Sequence, residues 1–300
     1  GDVLAEFLGR LGSLSQPAAL QRIGLSDRVE PGLDPCAAIQ IHIDLAPGEH
    51  ENLFYLIGQG QDETTAVALI EKYRQPNAVN DAWRVSTEVW EQMLTAVQVE
   101  TPDRAMDLLL NRWLLYQALS CRIWGRSALY QSSGAYGFRD QLQDVLALFH
   151  VAPHLARTQI LEAASRQFVA GDVLHWWHPP SGRGVRTRIT DDLLWLPYVT
   201  ARYIAATGDL AILEEERPFL VAPELAEEEH DRYGQFRPTE ATYPLLEHCR
   251  RALTRGVTSG AHGIPLIGAG DWNDGMNRVG HGGKGESIWL GWFAIAALTA

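Results

Sequence analysis

The pattern of hydrophobic and polar positions changes from strand-like to helical about a third of the way along the chain. In residues 39–45, Ile and Leu alternate with Gln, His and Asp, which is the two-residue period of a strand with one buried face. A turn at 46–49 separates this run from a second apolar run at 53–57. The two runs predict the last hairpin of an antiparallel β-sheet within residues 1–60.

Residues 61–100 are predicted to connect this sheet to a second domain. Asp62 is placed to cap a short helix at the start of the connector. Thr101, followed by a proline and an acid, then predicts the start of a longer helix that reaches about Trp124. That helix is apolar on nearly all sides, so we expect it to be buried.

From residue 101 onward the pattern predicts about seven helices, separated by loops. A long loop is expected at 171–188, and an acidic, irregular stretch at 218–239. Successive antiparallel helix pairs with one elaborated loop end are typical of an α/α toroid. The helices are predicted at 101–124, 139–149, 153–170, 190–207, 209–216 and 243–255, and from 286 onward.

Charge and cysteine content narrow the environment and the partners. The net charge of −12 argues against nucleic acid or an anionic membrane as the main partner. The 3 cysteines are widely spaced and odd in number, which predicts neither a disulfide framework nor a metal site, and favours a reducing compartment. No signal peptide and no apolar run long enough to cross a membrane is present in the sequence. The last residues lie inside an apolar helical pattern, so we expect a segment of a longer polypeptide.

The strongest chemical motif is the glycine-flanked stretch at 268–277, which contains Asp271, Trp272, Asn273 and Asp274. Glycines allow sharp turns and a close approach of the backbone to a ligand. Two acids and a large ring suit sugar chemistry, because the ring can lie under a pyranose while an acid protonates a glycosidic oxygen. The alternative is a surface turn rich in Asp and Asn. The tryptophan argues against that alternative.

Arg139 and Asp140 form a second motif at the predicted start of a helix, just after two glycines. An acid at this position can accept hydrogen bonds from sugar hydroxyls, and the arginine fork can hold an anion. An ordinary helix start explains the pair equally well, because an acid in the first turn is favourable to the helix dipole.

The predicted loop at 171–188 contains aromatic, histidine and arginine side chains that leave several interpretations open. Trp176 and Trp177 are either sugar platforms or loop packing. His175 and His178 have a spacing that two metal ligands can share, but no third ligand is nearby, so no metal is expected. The cluster of Arg183, Arg186 and Arg188 could serve a phosphate, the acids of a neighbouring loop, or only solvent. Nucleotide binding is not expected, because the glycines at 282–285 lack the phosphate-loop spacing.

Four motifs in order resemble glycoside hydrolase family 94, the inverting phosphorylases of β-linked disaccharides and oligoglucans. The resemblance covers about residues 100–300. Within the family it is greatest to the phosphorylase-type domain of cyclic β-1,2-glucan synthases, and next to 1,2-β-oligoglucan phosphorylases. The motifs lie at 111–117, 134–144, 270–277 and 285–287.

The resemblance implies a fold that is mainly α with an N-terminal β part. The end of a β-sandwich would occupy residues 1–60, a helical linker 61–100, and the first part of an (α/α)6 barrel 101–300. Further implied partners are a β-glucan oligosaccharide and the rest of the same polypeptide. The implied location is the cytoplasm, either as a free protein or as the cytoplasmic domain of an inner-membrane protein.

The resemblance also assigns roles to residues. Asp274 would be the general acid, while inorganic phosphate, as co-substrate and without any cofactor, attacks the anomeric carbon from the opposite face. Asp140 and Trp272 would bind the sugar, and Arg139 would lie near the phosphate. Apart from the resemblance, Trp176 and Trp177 are candidate sugar platforms, and Asp271 and Asn273 are expected to hold the shape of the loop or a sugar hydroxyl. Other phosphate ligands would fall beyond residue 300. The stretch 132–135 lacks an arginine that some disaccharide phosphorylases carry, which favours a longer glucan.

The expected function is therefore phosphorolysis of a β-linked glucan, with β-1,2-glucan as the favoured substrate. The protein would be either a free-standing enzyme or a chain-length-controlling domain of a cyclic β-1,2-glucan synthase. Two alternatives stay open: an inverting hydrolase on the same toroid, and a glucan-binding module without catalysis.

Overall fold

The computed structural model describes residues 2–26, 28, 31–32, 34–125, 134–179, 181–280 and 282–300. The chain divides into two compact units, Gly1–Val79 and Asn80–Ala300. The predicted domain boundaries near residues 60 and 100 stay a prediction.

Within its described residues, the first unit contains one short strand pair, two α-helices and a 3-10 turn. Strands β1 and β2 pair antiparallel, with Asp2 opposite Cys36. The helix predicted after Asp62 is confirmed, because the Asp62 carboxylate accepts a hydrogen bond from the backbone N–H of Thr65 at 2.8 Å. The elements are β1 (Asp2–Val3), α1 (Leu4–Leu8), a 3-10 turn (Ala18–Gln21), β2 (Pro35–Cys36) and α2 (Glu63–Tyr73).

The two strands predicted at 39–45 and 53–57 are wrong for this structure. Both segments lack regular secondary structure, and their apolar side chains are exposed, for example Ile39 at 70% and Phe54 at 58%. A strand needs a neighbour to accept its backbone hydrogen bonds and a surface to cover its apolar face. Within the described part of this unit, neither segment has such a neighbour.

Helices dominate the second unit, as predicted. Consecutive helices α6, α7, α8 and α9 pack against one another. Short 3-10 turns occur at Leu146–Leu148, Leu210–Glu214 and Asp274–Met276. The helices are α3 (Ala78–Leu94, which starts at the unit boundary), α4 (Arg104–Leu108), α5 (Leu114–Gln117), α6 (Phe138–Val145), α7 (Pro153–Ala164), α8 (Asp192–Thr207), α9 (Leu245–Gly256) and α10 (Ile288–Thr299).

The long helix predicted at 101–124 is present, but its start, its hydrogen-bonding pattern and its burial differ from the prediction. It starts at Arg104, because Asp103 rather than Thr101 caps it by accepting a hydrogen bond from the backbone of Ala105 at 2.9 Å. Two π-helical stretches, Leu109–Trp113 and Ala118–Trp124, flank α5. The prediction of all-round burial is wrong, since most of the apolar side chains of this helix are exposed. An apolar surface becomes buried only where another element lies against it.

The segments predicted as a loop at 171–188 and as an irregular stretch at 218–239 form strands instead. Four strands make an antiparallel sheet in the order β3-β4-β5-β7, and β6 pairs separately with β8. A β-bulge between Leu174 and Trp176 interrupts the pairing of β4 with β5. The strands are β3 (Tyr136–Gly137), β4 (Leu174–Trp177), β5 (Arg183–Thr187), β6 (Glu216–Val221), β7 (Asp231–Gln235) and β8 (Arg237–Pro244).

The core of the second unit lies between helices α6 to α9 and the inner face of the β4–β5 hairpin. Leu142, Ile160, Leu196 and Trp177 are fully buried in one cluster. This packing places the first turns of α6 and α8 and the strand β4 close to the loop at 268–277. None of the helices in the described ranges is both long and apolar enough for a membrane crossing.

Candidate active site

The glycine-rich loop is fixed to the chain segment before α8. The backbone N–H of Ala269 donates to the carbonyl of Arg188 at 2.9 Å, and that of Thr190 donates to the carbonyl of Gly270 at 3.0 Å. Gly268 has a φ of 62°, and a Cβ atom there would lie 2.1 Å from the Arg188 carbonyl oxygen. Glycine is required at this position, both for its backbone conformation and for the close approach of the two segments.

Asp271 and Asn273 hold the loop in shape. The buried Asp271 carboxylate accepts hydrogen bonds from the Asn273 backbone at 2.9 Å and from the Ser287 hydroxyl at 2.6 Å. Ser287 in turn caps α10. The Asn273 side-chain oxygen accepts from the Gly275 backbone at 3.0 Å. The predicted contact of Asn273 with sugar stays a prediction.

Trp272 and Asp274 are both exposed to solvent, as are Asn273, Met276 and Asn277 in the same loop. Trp272 is 55% exposed, and the Asp274 side chain is 51% exposed. The loop backbone is held from below by the Asp271 contacts, so a large ring and a carboxylate are both presented on a fixed support. This arrangement is suited to a ligand with apolar faces and hydrogen-bonding edges, such as a sugar.

Arg139, in the first turn of α6, joins the loop to the interior. Its Nη2 atom donates to both carboxylate oxygens of Asp274 at 2.7 Å. Its Nη1 atom donates to the Asp271 carbonyl at 2.9 Å and to Asp191 at 3.3 Å. Arg139 is 8% exposed and Asp191 is fully buried. Arg139 therefore connects a buried acid to an exposed one.

Electrostatics in this cluster are dominated by burial and by three carboxylates. Burial by itself lowers the pKa of Arg139, but the charges of Asp191, Asp192 and Asp274 outweigh it and raise that pKa. Burial and the neighbouring Asp192 charge raise the pKa of Asp191 against the opposing effect of Arg139. The Trp195 indole also donates to Asp191, at 3.1 Å.

His175, on strand β4, approaches Asp274 from the other side of the cluster. Its Nδ1 atom lies 2.7 Å from a carboxylate oxygen of the buried Asp192, and its Nε2 atom lies 3.8 Å from Asp274. Burial lowers the pKa of His175, but Asp192 and Asp274 outweigh it and raise the pKa to about 9. Two cations, Arg139 and His175, thus face the same carboxylate.

Sequence reasoning missed His175, Asp191 and Asp192 as parts of the site. The histidine was predicted only as half of a weak metal motif, and the two acids only as the first residues of a helix at 190–207. In the structure both acids stand at the start of α8 and turn toward the cations. A signal was present: α8 continues with a run of apolar residues that includes Trp195, so acids directly before it are expected to be buried and therefore paired.

Asp140 and Arg139 are adjacent in sequence but point to different partners. A Cβ atom at Gly137 would lie 1.8 Å from an Asp140 carboxylate oxygen, so this carboxylate folds back over the glycine. Its other oxygen is 3.7 Å from Arg122, and the Asp140 side chain is 42% exposed. Its predicted contact with sugar stays a prediction.

The two tryptophans of β4 have different environments. Trp177 is fully buried and packs edge-on against Tyr136 and Phe138, so the packing interpretation describes it and no face of its ring is open to a sugar. Trp176 is partly exposed and contacts Tyr233, with ring centroids 5.6 Å apart. It remains a candidate sugar platform.

The predicted basic cluster on β5 is committed to the fold at two of its three positions. Arg186 is buried against Asp172, and Arg188 donates to the backbone carbonyls of residues 225, 226 and 229. Throughout the described ranges, no three His, Cys, Asp or Glu side chains are grouped so that they could hold a metal ion. His175 and His178 make separate contacts, the latter with the Trp176 ring.

Two family models match the chain. The model described as the glycosyl hydrolase 94 superfamily catalytic domain matches residues 89–300, and the one described as the glycosyl hydrolase 94 supersandwich domain matches residues 4–76. The second match supports a β-sandwich relationship for the N-terminal unit, although the strands predicted there are not formed.

Three curated relatives align with almost the whole chain. It is 45% identical to the cyclic beta-(1,2)-glucan synthase NdvB of Rhizobium meliloti over 98% of its length, which is 10% of that relative. It is 28% identical to the solabiose phosphorylase of Paenibacillus borealis over 94% of its length, and 25% identical to the N,N'-diacetylchitobiose phosphorylase of Vibrio proteolyticus over 97%. The chain spans 33% and 37% of these two phosphorylases.

Proposed function

The chain belongs to glycosyl hydrolase family 94, and from this premise we propose that it carries the acid half of an inverting glycoside phosphorylase site for a β-linked glucan. Asp274 donates a proton to the leaving glycosidic oxygen, while inorganic phosphate attacks the anomeric carbon from the opposite face. An inverting hydrolase needs a second carboxylate to activate water, whereas phosphate is already a nucleophile. The observation that carries the proposal is the half-exposed Asp274 carboxylate, presented beside the exposed Trp272 ring and held by Arg139.

The contact between Arg139 and Asp274 gives the proposal a specific requirement. A carboxylate that accepts two hydrogen bonds from one guanidinium group is in the arrangement of an ion pair, whereas a proton donor has to be neutral. The pair must therefore open before proton transfer. A phosphate that reaches Arg139 competes with Asp274 for the same Nη2 atom. Phosphate binding by Arg139, predicted from the sequence, would then release Asp274 for its role as an acid.

We further propose that helices α6 to α10 form the first part of an (α/α)6 toroid. The mutual packing of α6 to α9 supports this arrangement. The chain spans about a third of the two phosphorylases. Other parts of the same polypeptide would therefore complete the toroid and supply the remaining phosphate ligands.

The proposed linkage is β-1,2, on the strength of the 45% identity to a protein named as a cyclic beta-(1,2)-glucan synthase. In a synthase of that kind, phosphorolysis would shorten the growing glucan and so control its length. The cytoplasmic location, either free or as a domain of an inner-membrane protein, stays a prediction.

The test is product analysis on the complete protein that contains this chain, with β-1,2-glucan oligosaccharides in the presence and absence of phosphate. Formation of a sugar 1-phosphate that depends on phosphate supports the proposal. Cleavage without phosphate indicates a hydrolase, and binding without cleavage indicates a glucan-binding module. The Asp274→Asn variant should lose phosphorolysis. The matched control is Asp231→Asn, which changes an exposed carboxylate on β7.

A further inference from the structure

Two pairs, each made of a buried acid and a cation, converge on Asp274. In the first, Asp191 holds Arg139; in the second, Asp192 holds His175. The two acids are neighbours at the start of α8, so a single helix end positions both cations. The function proposed for Asp274 involves only the first pair, Asp191 and Arg139.

The geometry leaves one ring nitrogen of His175 facing the site. Nδ1 is engaged by Asp192, and Nε2 points toward Asp274 at 3.8 Å. The second carboxylate oxygen of Asp192 is buried and, within the described residues, has no hydrogen-bond partner. The hydrogen bonding of the Asp192 side chain in the described residues is therefore directed to His175, while its charge also acts on Arg139 and Asp191. Carboxylates on both sides hold the imidazole in its charged form, against the opposing effects of burial and of Arg139.

Arg139 and His175 differ in whether their side chains can release a proton. A guanidinium group does not give up a proton in proteins, whereas an imidazolium group can. Asp274 is ion-paired in the structure and must gain a proton before it can donate one. Of Arg139 and His175, only His175 can supply it; the other source is solvent, because the Asp274 side chain is 51% exposed. A modest turn of the exposed Asp274 side chain would shorten the 3.8 Å separation to a hydrogen bond.

We propose that His175 is a positioning residue that stores the proton which Asp274 delivers, and that Asp192 orients it for this transfer. The proposal rests on the proposed function of Asp274. The proton passes from Nε2 of His175 to Asp274, and then to the glycosidic oxygen as the bond from the anomeric carbon to that oxygen breaks and a bond to phosphate forms. The sugar phosphate keeps the proton of hydrogen phosphate and later loses it to solvent. Solvent returns a proton to His175, which restores the starting state.

The experiment compares two substrates in the complete protein. One is a β-linked glucan, whose leaving sugar needs a proton; the other is an aryl β-glucoside, whose leaving group departs without one. In the His175→Gln variant, we expect kcat on the glucan to fall at least about 100-fold, with KM changed less than about twofold. Activity on the aryl glucoside should stay within a few-fold of the wild type. His154→Gln, an exposed change on α7, is the control and should alter neither substrate.

Equal losses on both substrates would assign His175 a purely structural role, and an unchanged rate on the glucan would overturn the proposal. The failure of the proposed function looks different: wild-type protein forms no sugar phosphate, or Asp274→Asn retains full activity on the glucan. If Asp274→Asn loses glucan activity while His175→Gln retains it, only the inference about His175 fails.

A second measurement does not depend on activity. Nitrogen NMR of the histidine side chains can follow the titration of His175, assigned by the loss of its signal in His175→Gln. In Asp274→Asn, the pKa of His175 should fall, because one of the two carboxylates that raise it has been removed. An unaltered titration in that variant would contradict the proposed coupling between His175 and Asp274.

Discussion

Two regions of the second unit are built from the same parts and differ in one respect. Beneath the β4–β5 hairpin, Arg186 pairs with Asp172, with side chains only 1% and 8% exposed. At the candidate active site, Arg139 pairs with Asp274, with side chains 9% and 51% exposed. The first region is closed on both sides of its ion pair, whereas the second is closed on one side only.

Two histidines of the second unit, His248 and His175, show a related contrast in their pKa values. His248 is fully buried, stacks on Phe219 with ring centroids 3.9 Å apart, and has Gln167 and the Arg217 carbonyl as partners. Burial outweighs the Arg217 contact and lowers the pKa of His248 to about 4. His175, between two carboxylates, has a pKa raised to about 9. Burial that outweighs the nearby charges favours a neutral, structural histidine at position 248, and burial between two close carboxylates favours a charged one at position 175.

The largest effect is expected from opening the closed pair. Asp172→Asn leaves the Arg186 charge buried without its carboxylate, which should cost about 3–5 kcal/mol of local stability. Hydrogen exchange of the β5 amides in the complete protein would measure the loss. A change below about 1 kcal/mol would mean that the backbone carbonyls of Ala222 and Pro223 are sufficient partners for this arginine.

The next largest effect on stability is expected at His248 when the pH is lowered. The unfolded chain binds a proton at this residue below about pH 6.5, whereas the folded one does so only below about pH 4. Stability should therefore fall as the pH drops through this window, by about 3 kcal/mol in all, and show no further change from this group below it. Hydrogen exchange of α9 amides at several pH values checks this. His248→Gln should flatten the dependence, and an equally steep fall in that variant would assign it to other groups.

His175 should show the opposite sign. Its folded pKa is raised, so its contribution is fully present below about pH 6.5 and is lost as the pH rises through about 9. The expected loss is about 2 kcal/mol, somewhat less than for His248 because the His175 side chain is partly exposed. Hydrogen exchange in α8 should report it, with His175→Gln as the comparison. Stability that is flat between these pH values in the wild type would show that His175 is not held as a cation.

The smallest effect on stability should come from the same Asp-to-Asn change at the partly exposed pair, Arg139 and Asp274. Asp274→Asn leaves Arg139 with Asp191 and the Asp271 carbonyl, so stability should change by less than about 1 kcal/mol. Hydrogen exchange of the backbone amides can be measured in Asp274→Asn and in Asp172→Asn under identical conditions, and the two losses of stability compared. A loss as large as that in Asp172→Asn would erase the distinction between the closed and open regions.

The parts of the fold and the site that the sequence predicted are those with local causes. Asp62 caps its helix through a contact 3 residues away, and the loop motif places Trp272 and Asp274 next to each other whatever the fold. The prediction of a strand at 39–45 is wrong because a strand forms only beside a neighbouring strand, and an alternating pattern does not supply one. The contact between Arg139 and Asp274 spans 135 positions, and its existence follows only from the packing of the helices.

The β-bulge in β4 has a consequence for how this site can change during evolution. In a regular strand, His175 and Trp177 would share one face; the bulge sends Trp177 into the core and leaves His175 facing the carboxylates. Deleting one residue there would reverse the direction of the histidine while every side chain of the site kept its identity. The chemistry of the site therefore depends on the number of residues in this strand as well as on their identity.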